Sequence, residues 1–450
     1  DGPGTAREAV NTYDYDTEHC NLLIEKNEQI SDGLFRRTTY EWTLASGGDT
    51  MVQTIYDDLE LGNIVTTTHF YGDGQVRSTI DGVGNITTYV YDTYGRLTSI
   101  TYAGGAVRRF EYGDLTGNQT AVIDENGNRT EFVYDEMNRV TAIQNVMGVG
   151  VTYTTQYDYD EAGNQVGTTD ARGNTTSFAY DVLGRRISRV DELGQATYWG
   201  YEYGAFTTTY LVATGPEYSY VYEKTPRGFV QVTVYDEYYR EKYYYDTMGN
   251  RTETVRDELG RIIEEIGPWG TLATYEYNGR GKVITRIGPG DGDAGIIHYV
   301  YDDLDRLTAR RVENGLDGAD GDTTNDQTYR WTYNHLDLPT VEVDPEGCRK
   351  VIHYDGAGNQ TQVVEAAGTT EARTTDFVQY DERNRVIQTR LDGIYLTTYE
   401  YDAAGNLTAE IDARGARKGY AYDAMNRLIE TTDGEGNKTE TIYDEVGNVV

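Results

Sequence analysis

One recurring pair of residues dominates this chain. Tyr401-Asp402, Tyr422-Asp423 and Tyr443-Asp444 follow one another at steps of 21 residues, and an Asp-x-x-Gly turn, Asp412 to Gly415, lies about halfway between two of them. A repeat of this length constrains the fold more than composition does. Each unit packs mainly against its neighbours in sequence, so the array grows in one direction.

The repeat runs through most of the sequence. The tyrosine position recurs at Tyr71, Tyr91, Tyr112, Tyr134, Tyr159, Tyr180, Tyr201, Tyr222, Tyr245, Tyr333, Tyr354 and Tyr380. An insertion at residues 147–150 lengthens one step to 25, and the signature blurs between residues 204 and 242. Two Gly/Asp-rich insertions, residues 288–295 and 315–326, fit loops lengthened on the repeat frame, because surface insertions cost little closure entropy.

The Asp-x-x-Gly element is typical of a type I turn. The Asp carboxylate accepts backbone N–H bonds, and the residue three positions later takes a positive φ, which suits glycine. Asn138, Asn384, Asn426 and Asp305 stand at this position in place of glycine. Asn and Asp are among the few residues that tolerate that conformation, so the substitutions predict a left-handed backbone site.

The segments between turns alternate in polarity. Thr130, Phe132 and Tyr134 fall on one face of such a segment, and this period of two indicates strand. Half-repeats of about 10 residues predict about 40 strands in a ribbon ~190 Å long, which must coil because sheets twist. The predicted fold is all-β: a long, coiled antiparallel sheet making about one broad turn or two tighter ones. Equivalent tyrosines are expected to stack in ladders.

Charge and composition exclude several classes of function. Lys and Arg number 39 against 75 Asp and Glu, so the net charge is −36 and binding to nucleic acid or anionic membranes is disfavoured. The 42 tyrosines and 51 glycines suit short strands joined by turns. Two cysteines, Cys20 and Cys348, do not make a disulfide scaffold, and the sequence leaves open whether they pair. No apolar run is long enough to span a membrane.

The ends of the chain differ in character. Residues 1–70 contain degenerate repeats, such as Tyr13-Asp14 and Tyr56-Asp57, and are expected to act as a partial cap on the array of residues 71–450. Within them, residues 18–28 are expected to form a short helix and residues 46–49 a loop. The repeat signature persists to Val450, so we expect the native chain to continue with more strands and this piece to self-associate through its last strand.

Taken together, the Tyr-Asp-x-x-Gly/Asn motifs resemble those of the RHS/YD-repeat family, which includes bacterial Rhs and wall-associated YD proteins, toxin-complex cocoon subunits and the teneurin YD shell. The resemblance covers roughly residues 71–450. It implies a hollow β-shell in a secreted or cell-surface protein, often enclosing a C-terminal toxin. Bacterial members end the shell with an Asp-based self-cleaving site. The run Asp344-Pro345-Glu346-Gly347 is only a repeat turn, so neither self-cleavage nor toxin activity is carried over.

No residues are predicted to be catalytic, cofactor-binding or metal-binding, and no cofactor is expected. The repeated aspartates are interpreted as turn-capping groups, and the histidines form no metal-spaced pair or triad: His19, His69, His298, His335 and His353. Calcium is the alternative for two acidic loops, comprising Asp291 and Asp293 in one and Asp317, Asp320, Asp322, Asn325 and Asp326 in the other. The recurring Asn-x-Thr sequons arise from the turn motif itself.

Two functions compete. The first is a non-enzymatic structural shell, whose partners are other segments of the same long chain, including an encapsulated C-terminal toxin. The second is an extracellular adhesion module binding glycans or a surface receptor. The second hypothesis predicts a groove of exposed aromatic residues near residues 218–245 or the two insertions, because aromatic faces stack on sugar rings.

Overall fold

The computed structural model describes residues 11–16, 22–31, 34–44, 50–58, 62–113, 116–148, 150–203, 206–207, 212–213, 219–289, 295–313 and 326–450. Nearly all of these residues lie in strands or in the tight turns between them. Within these ranges the helical structure is confined to a three-residue 3-10 turn, Ala103–Gly105. The all-β prediction is therefore confirmed.

The strands, in chain order, are β1 Asn11–Asp16, β2 Leu22–Ser31, β3 Leu34–Leu44, β4 Thr50–Asp58, β5 Gly62–Phe70, β6 Val76–Ile80, β7 Ile86–Tyr91, β8 Leu97–Thr101, β9 Val107–Tyr112, β10 Gln119–Ile123, β11 Arg129–Tyr134, β12 Val140–Gly148, β13 Val151–Tyr159, β14 Gln165–Thr169, β15 Thr175–Tyr180, β16 Arg186–Val190, β17 Ala196–Tyr203, β18 Phe206–Thr207, β19 Val212–Ala213 and β20 Ser219–Lys224. They continue with β21 Val230–Tyr235, β22 Glu241–Tyr245, β23 Arg251–Arg256, β24 Ile262–Gly267, β25 Gly270–Tyr277, β26 Val283–Ile287, β27 Ile297–Tyr301, β28 Leu307–Val312, β29 Gln327–Tyr333, β30 Pro339–Val343, β31 Arg349–Tyr354, β32 Gln360–Glu365, β33 Arg373–Tyr380, β34 Val386–Leu391, β35 Tyr395–Tyr401, β36 Leu407–Ile411, β37 Arg417–Tyr422, β38 Leu428–Thr432 and β39 Lys438–Glu440.

The strands form one continuous sheet. Thirty-seven of them pair antiparallel, each with the strand before and the strand after it, while β18 and β19 form a separate two-stranded sheet. Strand β17 therefore pairs directly with β20. Among the described strands, the first and last do not pair with each other, so the sheet is a long ribbon and not a closed barrel.

The first five strands differ from the rest and correct one prediction. Leu22–Ser31 is a strand, so the helix expected at residues 18–28 is wrong wherever that segment is described. Residues 17–21 and the loop expected at 46–49 lie outside the described residues. Tyr13 and Tyr56 lie inside β1 and β4 rather than before turns. These early strands reach 11 residues, since the glycine spacing that ends a strand early is missing there.

The turns have the predicted chemistry. At Asp92 the Gly95 amide donates to the Asp92 carbonyl (3.0 Å), and the Asp92 carboxylate accepts the amides of Tyr94 (2.9 Å) and Arg96 (3.0 Å). Gly95 has φ 79°. The predicted left-handed substitutes are confirmed: Asn138 (62°), Asp305 (62°), Asn384 (59°) and Asn426 (59°). The same conformation occurs at Tyr239 (59°) and Asp337 (61°), two positions the sequence did not single out.

Successive turns lie on opposite edges of the ribbon. We call the edge that carries the turns at Asp92, Asp135 and Asp402 the tyrosine edge, because most of its turns follow a Tyr-Asp pair, and the other the second edge; the turn after Tyr245-Asp246 lies on the second edge. At the tyrosine edge a β-bulge recurs: Val90 pairs with Ser99 but Tyr91 pairs with Leu97. At the second edge the hairpin between β6 and β7 pairs without a shift. Bulges bend a strand and raise its twist, so a bulge recurring at one edge bends the ribbon repeatedly in one sense.

The sheet is one layer thick, and its core is correspondingly sparse. Among the described residues the buried hydrophobic ones are Ile64, Ala121, Ala142, Tyr220, Val232, Val234, Tyr245, Ala273, Ile352, Tyr354, Val363 and Ala409. Tyr220, Val232, Val234 and Tyr245 form the densest local cluster. Most strand residues are only half-buried. Stability is therefore spread along the ribbon, as in other repeat proteins.

The ribbon coils far enough to meet itself. Side chains that touch across the coil are 258 to 303 residues apart in sequence. The chain of 450 residues thus makes between one and two circuits. This value lies between the one broad turn and the two tighter turns predicted from the sequence. From β7 to β33 there are 27 strands, or 25 without β18 and β19. At ~4.8 Å per strand, one circuit measures ~120 Å, or roughly 40 Å across if circular.

Candidate functional site

The tyrosine edge carries an Asp–Arg pair in many turns. In the turn at Asp92, one carboxylate oxygen accepts the backbone amides while the other accepts the guanidinium of Arg96 at 2.6 Å. The arrangement recurs in Asp135–Arg139, Asp181–Arg185, Asp236–Arg240, Asp257–Arg261, Asp302–Arg306, Asp381–Arg385 and Asp423–Arg427. Each carboxylate is thus held from two sides, which fixes the turn and orients the arginine.

Most of these arginines also link their repeat to the next one, whereas Arg240 stacks on Tyr238 of its own turn. The Arg385 guanidinium lies over the Tyr401 ring, 4.8 Å from its centroid, and donates to the Asp402 carbonyl at 2.9 Å. The Tyr401 hydroxyl in turn donates to the Val386 carbonyl at 3.0 Å. The same stacking occurs in Arg96–Tyr112, Arg139–Tyr159, Arg185–Tyr201, Arg261–Tyr277, Arg306–Tyr333 and Arg427–Tyr443.

This arrangement corrects the expected tyrosine ladder. Tyrosines of successive repeats lie on alternate strands, ~9.6 Å apart, which is too far for their rings to stack face to face. An arginine on the strand between them fills the gap. Among the described residues, the close ring pair between repeats is Tyr71–Tyr91, edge-on at 6.2 Å.

The ionisable groups of this edge have shifted pKa values. The Arg96 amide and guanidinium hold the pKa of Asp92 below its usual value. Burial raises the pKa of the Tyr401 hydroxyl, and burial raises that of Tyr380 to about 12. The carboxylates of this edge therefore stay charged and accept hydrogen bonds. Its tyrosine hydroxyls stay neutral and can donate them.

The strongest candidate for a functional site is the seam where two circuits meet. It joins second-edge turns of the first circuit, at residues 81–85, 102–105, 124–128 and 170–174, to tyrosine-edge turns of the next, at residues 355–359, 381–385, 402–406, 423–427 and 444–448. All of these contacts pair a second edge with a tyrosine edge. The two edges of the ribbon are therefore complementary surfaces.

Left-handed asparagines connect the circuits. The Asn384 amide nitrogen donates to the Asp81 carboxylate at 2.8 Å, and its oxygen accepts from Asn85 (3.0 Å) and Asn359 (3.1 Å). The Asp81 carboxylate also accepts the Asn85 amide at 3.1 Å. One side chain thus joins two turns of its own circuit's edge to a turn about 300 residues earlier in the sequence.

Asn426 repeats the connection two repeats further along the seam. Its amide nitrogen donates to Asp124 at 3.1 Å, and its oxygen accepts from Asn406 at 2.8 Å. Asn126 adds a reciprocal contact, donating to the Asp402 carboxylate at 2.9 Å and accepting the Ala404 amide at 3.1 Å.

Charged residues complete the seam. The Glu125 side chain is fully buried and pairs with Arg108 (3.1 Å) and Arg383 (3.4 Å), the latter from the next circuit. The Arg383 guanidinium also lies over the Tyr102 ring. Arg172 pairs with the Asp444 carboxylate. A buried carboxylate is tolerated only when paired, so the second circuit supplies part of the charge that Glu125 requires.

The circuits also meet through backbone at one point. A Cβ built on Gly82 would lie 2.0 Å from the Gly356 carbonyl oxygen. This distance is too short for any side chain at position 82. Glycine is required at Gly82 by this contact rather than by a positive φ. Two open polar clefts, of about 520 and 500 Å³, flank the seam. Their linings mix Arg383 and Arg385 with carboxylates and so favour neither anions nor cations.

A third cleft bears on the adhesion hypothesis. It has a volume of about 670 Å³, lies near β16, β17 and β20, and is lined by Tyr198, Trp199, Tyr201 and Tyr222 together with Asp181, Arg185, Glu202 and Lys224. The Trp199 indole donates to Glu223 at 3.2 Å. The cleft lies beside the region predicted from sequence, and its aromatic residues come mainly from β17.

The other candidate residues do not converge. His298 pairs with Glu313 at 2.7 Å, and Asp326 lies 3.6 Å from Arg311. In the part of the chain that the structure describes, no group of three or more His, Cys, Asp or Glu side chains is placed to hold a metal ion. The remaining loop residues proposed for calcium lie outside the described residues: Asp291, Asp293, Asp317, Asp320, Asp322 and Asn325.

Cys348 is an exposed free cysteine, while Cys20 and His19 lie outside the described residues. Within the described residues, no helix is both long enough and apolar enough to cross a membrane.

The seam itself was missed by sequence reasoning. Asn384 and Asn426 were noticed as left-handed residues, but only their backbone was interpreted. The sequence does contain a signal for the seam, because Asn occupies positions where glycine would adopt the left-handed conformation without strain. A side chain kept at a strained φ suggests that this side chain makes contacts.

Comparison with known proteins identifies the repeats. The RHS Repeat family model matches residues 70–107, 113–146, 159–196, 380–417 and 401–438. The chain is 29% identical over 195 residues to the tRNA3(Ser)-specific nuclease WapA of Bacillus spizizenii, covering 42% of this chain and 8% of the relative. It is 28% identical over 195 residues to the probable deoxyribonuclease RhsB of Dickeya dadantii, covering 40% and 11%.

Solved structures share the architecture. A crystal structure of TcdB2-TccC3-TEV aligns with 98% of this chain and 26% of its own, at TM-score 0.55 and 14% identity. A variant of the Photorhabdus luminescens Tc holotoxin pore aligns at TM-score 0.56 and 14% identity, over 98% of this chain and 27% of its own. The chain thus spans about a tenth of the curated relatives and about a quarter of these structures. The chain therefore contains segments that match the RHS Repeat family model, and its sheet architecture is similar to that of these structures.

Proposed function

We propose that this chain is a wall segment of a hollow β-shell, which encloses or displays another part of the same protein. The observation that carries the proposal is the seam. A ribbon whose circuits are hydrogen-bonded to one another at Asn384 and Asn426 makes a continuous wall, whereas an unconnected ribbon would leave gaps between circuits. The role is structural and non-enzymatic.

The dimensions support enclosure. A circuit roughly 40 Å across, walled by a single sheet about 10 Å thick, leaves an interior ~30 Å wide. A compact domain of 100 residues has a radius of gyration of ~13 Å. The interior of one circuit therefore suits a small or partly unfolded segment, and additional or wider circuits would be required for a larger one.

The enclosed part is proposed to be a C-terminal toxin of a secreted or cell-surface protein. Relatives that share the repeats are named as nucleases, and the matched portion is a small fraction of their length. We assign the nuclease activity of such proteins to parts outside the repeats, because the turn aspartates here are committed to amides and arginines.

Limited proteolysis of the full-length gene product tests the proposal. We expect the part outside the repeats to be cleaved about tenfold more slowly than the same part expressed alone. Protection should be lost in a variant with Asn384→Asp and Asn426→Asp, in which carboxylates face Asp81 and Asp124 across the seam. Tyr239→Gly, in a turn away from the seam, is the matched control. Equal cleavage with and without intact repeats would refute enclosure.

Glycan adhesion is the second candidate, favoured by the aromatic cleft at Trp199. The exposed Tyr198 ring and the half-buried Trp199 ring, beside Asp181 and Glu202, resemble the mixed surface that stacks on pyranose rings and hydrogen-bonds their hydroxyls. A glycan array probed with the intact protein and with Trp199→Ala decides it. Binding that disappears in the variant supports adhesion, and no binding by the intact protein rejects it.

A further inference from the structure

Three repeats place an aromatic residue directly opposite a glutamate on the neighbouring strand: Trp199–Glu223, Trp331–Glu342 and Tyr399–Glu410. Each aromatic residue stands two positions before a repeat tyrosine, so both members of each pair lie on the face of the sheet that carries those tyrosines. Each glutamate stands two positions before a second-edge turn. The three glutamates therefore occupy equivalent places in the ribbon, and their surroundings can be compared directly.

A lysine on the following strand brings a positive charge to two of these glutamates. Lys350 lies directly opposite Glu342, and its ammonium is 3.5 Å from the Glu342 carboxylate. Lys418 lies directly opposite Glu410 in the same way. The repeats themselves thus show which group this position accepts beside an aromatic ring and a carboxylate, namely the ammonium of a lysine side chain.

Glu223 has a neutral residue opposite it in place of that lysine. The residue is Gln231, whose amide donates to Oε2 of Glu223 at 3.2 Å. The Trp199 indole donates to the same oxygen at 3.2 Å, and the Tyr244 hydroxyl fixes Gln231 by donating to its amide oxygen at 3.0 Å. Neutral donors therefore hold the carboxylate in place, while its other oxygen, Oε1, accepts no hydrogen bond from the described residues.

No cation of the described chain pairs with Glu223. Lys224 is the next residue and so points to the opposite face of the sheet. Arg189 lies on the same face two strands away, but it is exposed and makes no ion pair among the described residues. The Glu223 side chain is half-buried, and a charge partly removed from water is costly unless it is paired.

Contacts between circuits do not reach the position that Glu223 occupies. The seam is built mainly from turn residues, whereas Glu223 lies inside strand β20 and faces away from both edges. The equivalent residues before turns that the seam does cover are Thr79, Val122 and Thr168. Among the described contacts, none of these three makes a hydrogen bond or ion pair to another circuit. The missing positive charge at Glu223 is therefore a property of this repeat itself.

We propose that Glu223 binds a lysine side chain from the part of the protein that the wall encloses or displays, an inference that rests on the proposed wall function. The ammonium takes the place that Lys350 has beside Glu342 and pairs with Oε1 of Glu223. It also lies against the Trp199 ring, whose cation–π attraction adds to the ion pair. The net charge of −36 favours a cationic partner over an anionic one.

Carbodiimide cross-linking of the full-length gene product, read out by peptide mass spectrometry, tests the site, because the reagent joins a carboxylate to an amine in contact with it. We expect Glu223 to couple to a lysine outside the repeats, with Glu342–Lys350 as the internal positive control. Gln231→Lys supplies the charge from within, so coupling to the outside lysine should fall at least tenfold. Gln144→Lys, opposite Glu131 on the other face of the sheet, is the matched control and should leave it unchanged.

The outcomes separate this site from the wall function. If Glu342 couples to Lys350 while Glu223 couples to no lysine, the proposal is overturned, even where the part outside the repeats stays protected from proteolysis. Coupling at Glu223 without that protection supports the site and rejects enclosure. Equal coupling in the original protein and in Gln231→Lys would overturn the proposal as well. If Glu223 couples only to an added alkylamine, such as biotinylated pentylamine, the ligand is a free amine and the lysine is rejected.

Discussion

Replacing Asn384 by glycine separates the seam from the turn. Glycine accepts φ 59° without strain, so the turn survives while the side chain is removed. The substitution deletes three hydrogen bonds, to Asp81 (2.8 Å), from Asn85 (3.0 Å) and from Asn359 (3.1 Å). The first of these has a charged acceptor.

The size of the effect follows from those three bonds. A neutral hydrogen bond contributes about 0.5–1.5 kcal/mol and one to a charged group about 1.5–3 kcal/mol. The low ends of these ranges add to about 2.5 kcal/mol, and because the site is half-buried and open to water we take slightly less, about 2 kcal/mol. The strain relieved at a left-handed residue, about 1 kcal/mol, and the greater chain entropy of unfolded glycine roughly cancel. About 2 kcal/mol corresponds to roughly thirtyfold in an opening equilibrium.

Hydrogen exchange is the appropriate assay, because a repeat ribbon need not unfold in two states. In Asn384→Gly we expect amides of β6 and β7, about 300 residues away in sequence, to exchange up to roughly thirtyfold faster. Tyr239→Gly is the matched control: the same turn class, φ 59°, with a side chain 78% exposed and away from the seam. If both variants change β6 and β7 equally, or neither does, the seam does not stabilise the coil.

Three further predictions concern the turns and the ionisable groups. Gly405→Val should lower stability by more than about 1 kcal/mol, because a β-branched residue is forced to φ 105°, and an unchanged thermal midpoint would contradict the turn assignment. Asp92 and Asp135 have pKa values below the ordinary 3.8, so their contribution is present above about pH 4 and is lost as pH falls below it; acid titration followed by circular dichroism should show sheet loss only in that range. Tyr220 and Tyr380 have pKa values raised to about 12, so stability is kept below the ordinary value of 10.0 and lost as pH rises from there through about 12. Tyrosinate absorbance should then rise together with loss of strand signal, and titration of every tyrosine near pH 10 with the sheet intact would refute this.

Local chemistry made much of the fold predictable. A period of two between turns predicts strands, and an Asp followed by a left-handed Gly or Asn three residues later predicts the hairpin at Asp92 or Asp402. These interactions involve residues within about five positions of one another, so the sequence displays both partners together. The prediction failed at residues 22–28, where the turn residues that mark a strand end were missing and a polar segment was interpreted as helix.

The interactions between neighbouring repeats were only half predictable. Arg385 was visible at the position after the turn, and Tyr401 at the start of the next repeat. The guanidinium lies between two tyrosines because the tyrosines are on alternate strands. This placement follows only once the order of strands in the antiparallel sheet is known. The expected tyrosine ladder ignored the strand in between.

What the sequence determined alone is therefore the ribbon: its strands, its two kinds of turn and the left-handed sites at Asn138, Asn384 and Asn426. What only the tertiary structure decided is where the ribbon meets itself. With about 25 strands in a circuit, each strand contributes roughly 14° of rotation, and sheet twist varies by about 10° between strand pairs. An error of 1° per strand would accumulate over a circuit to about 25°, nearly two strands. The pairing of Asn384 with Asp81 rather than with a neighbouring turn is thus set by the sum of many small bends, which no local pattern specifies.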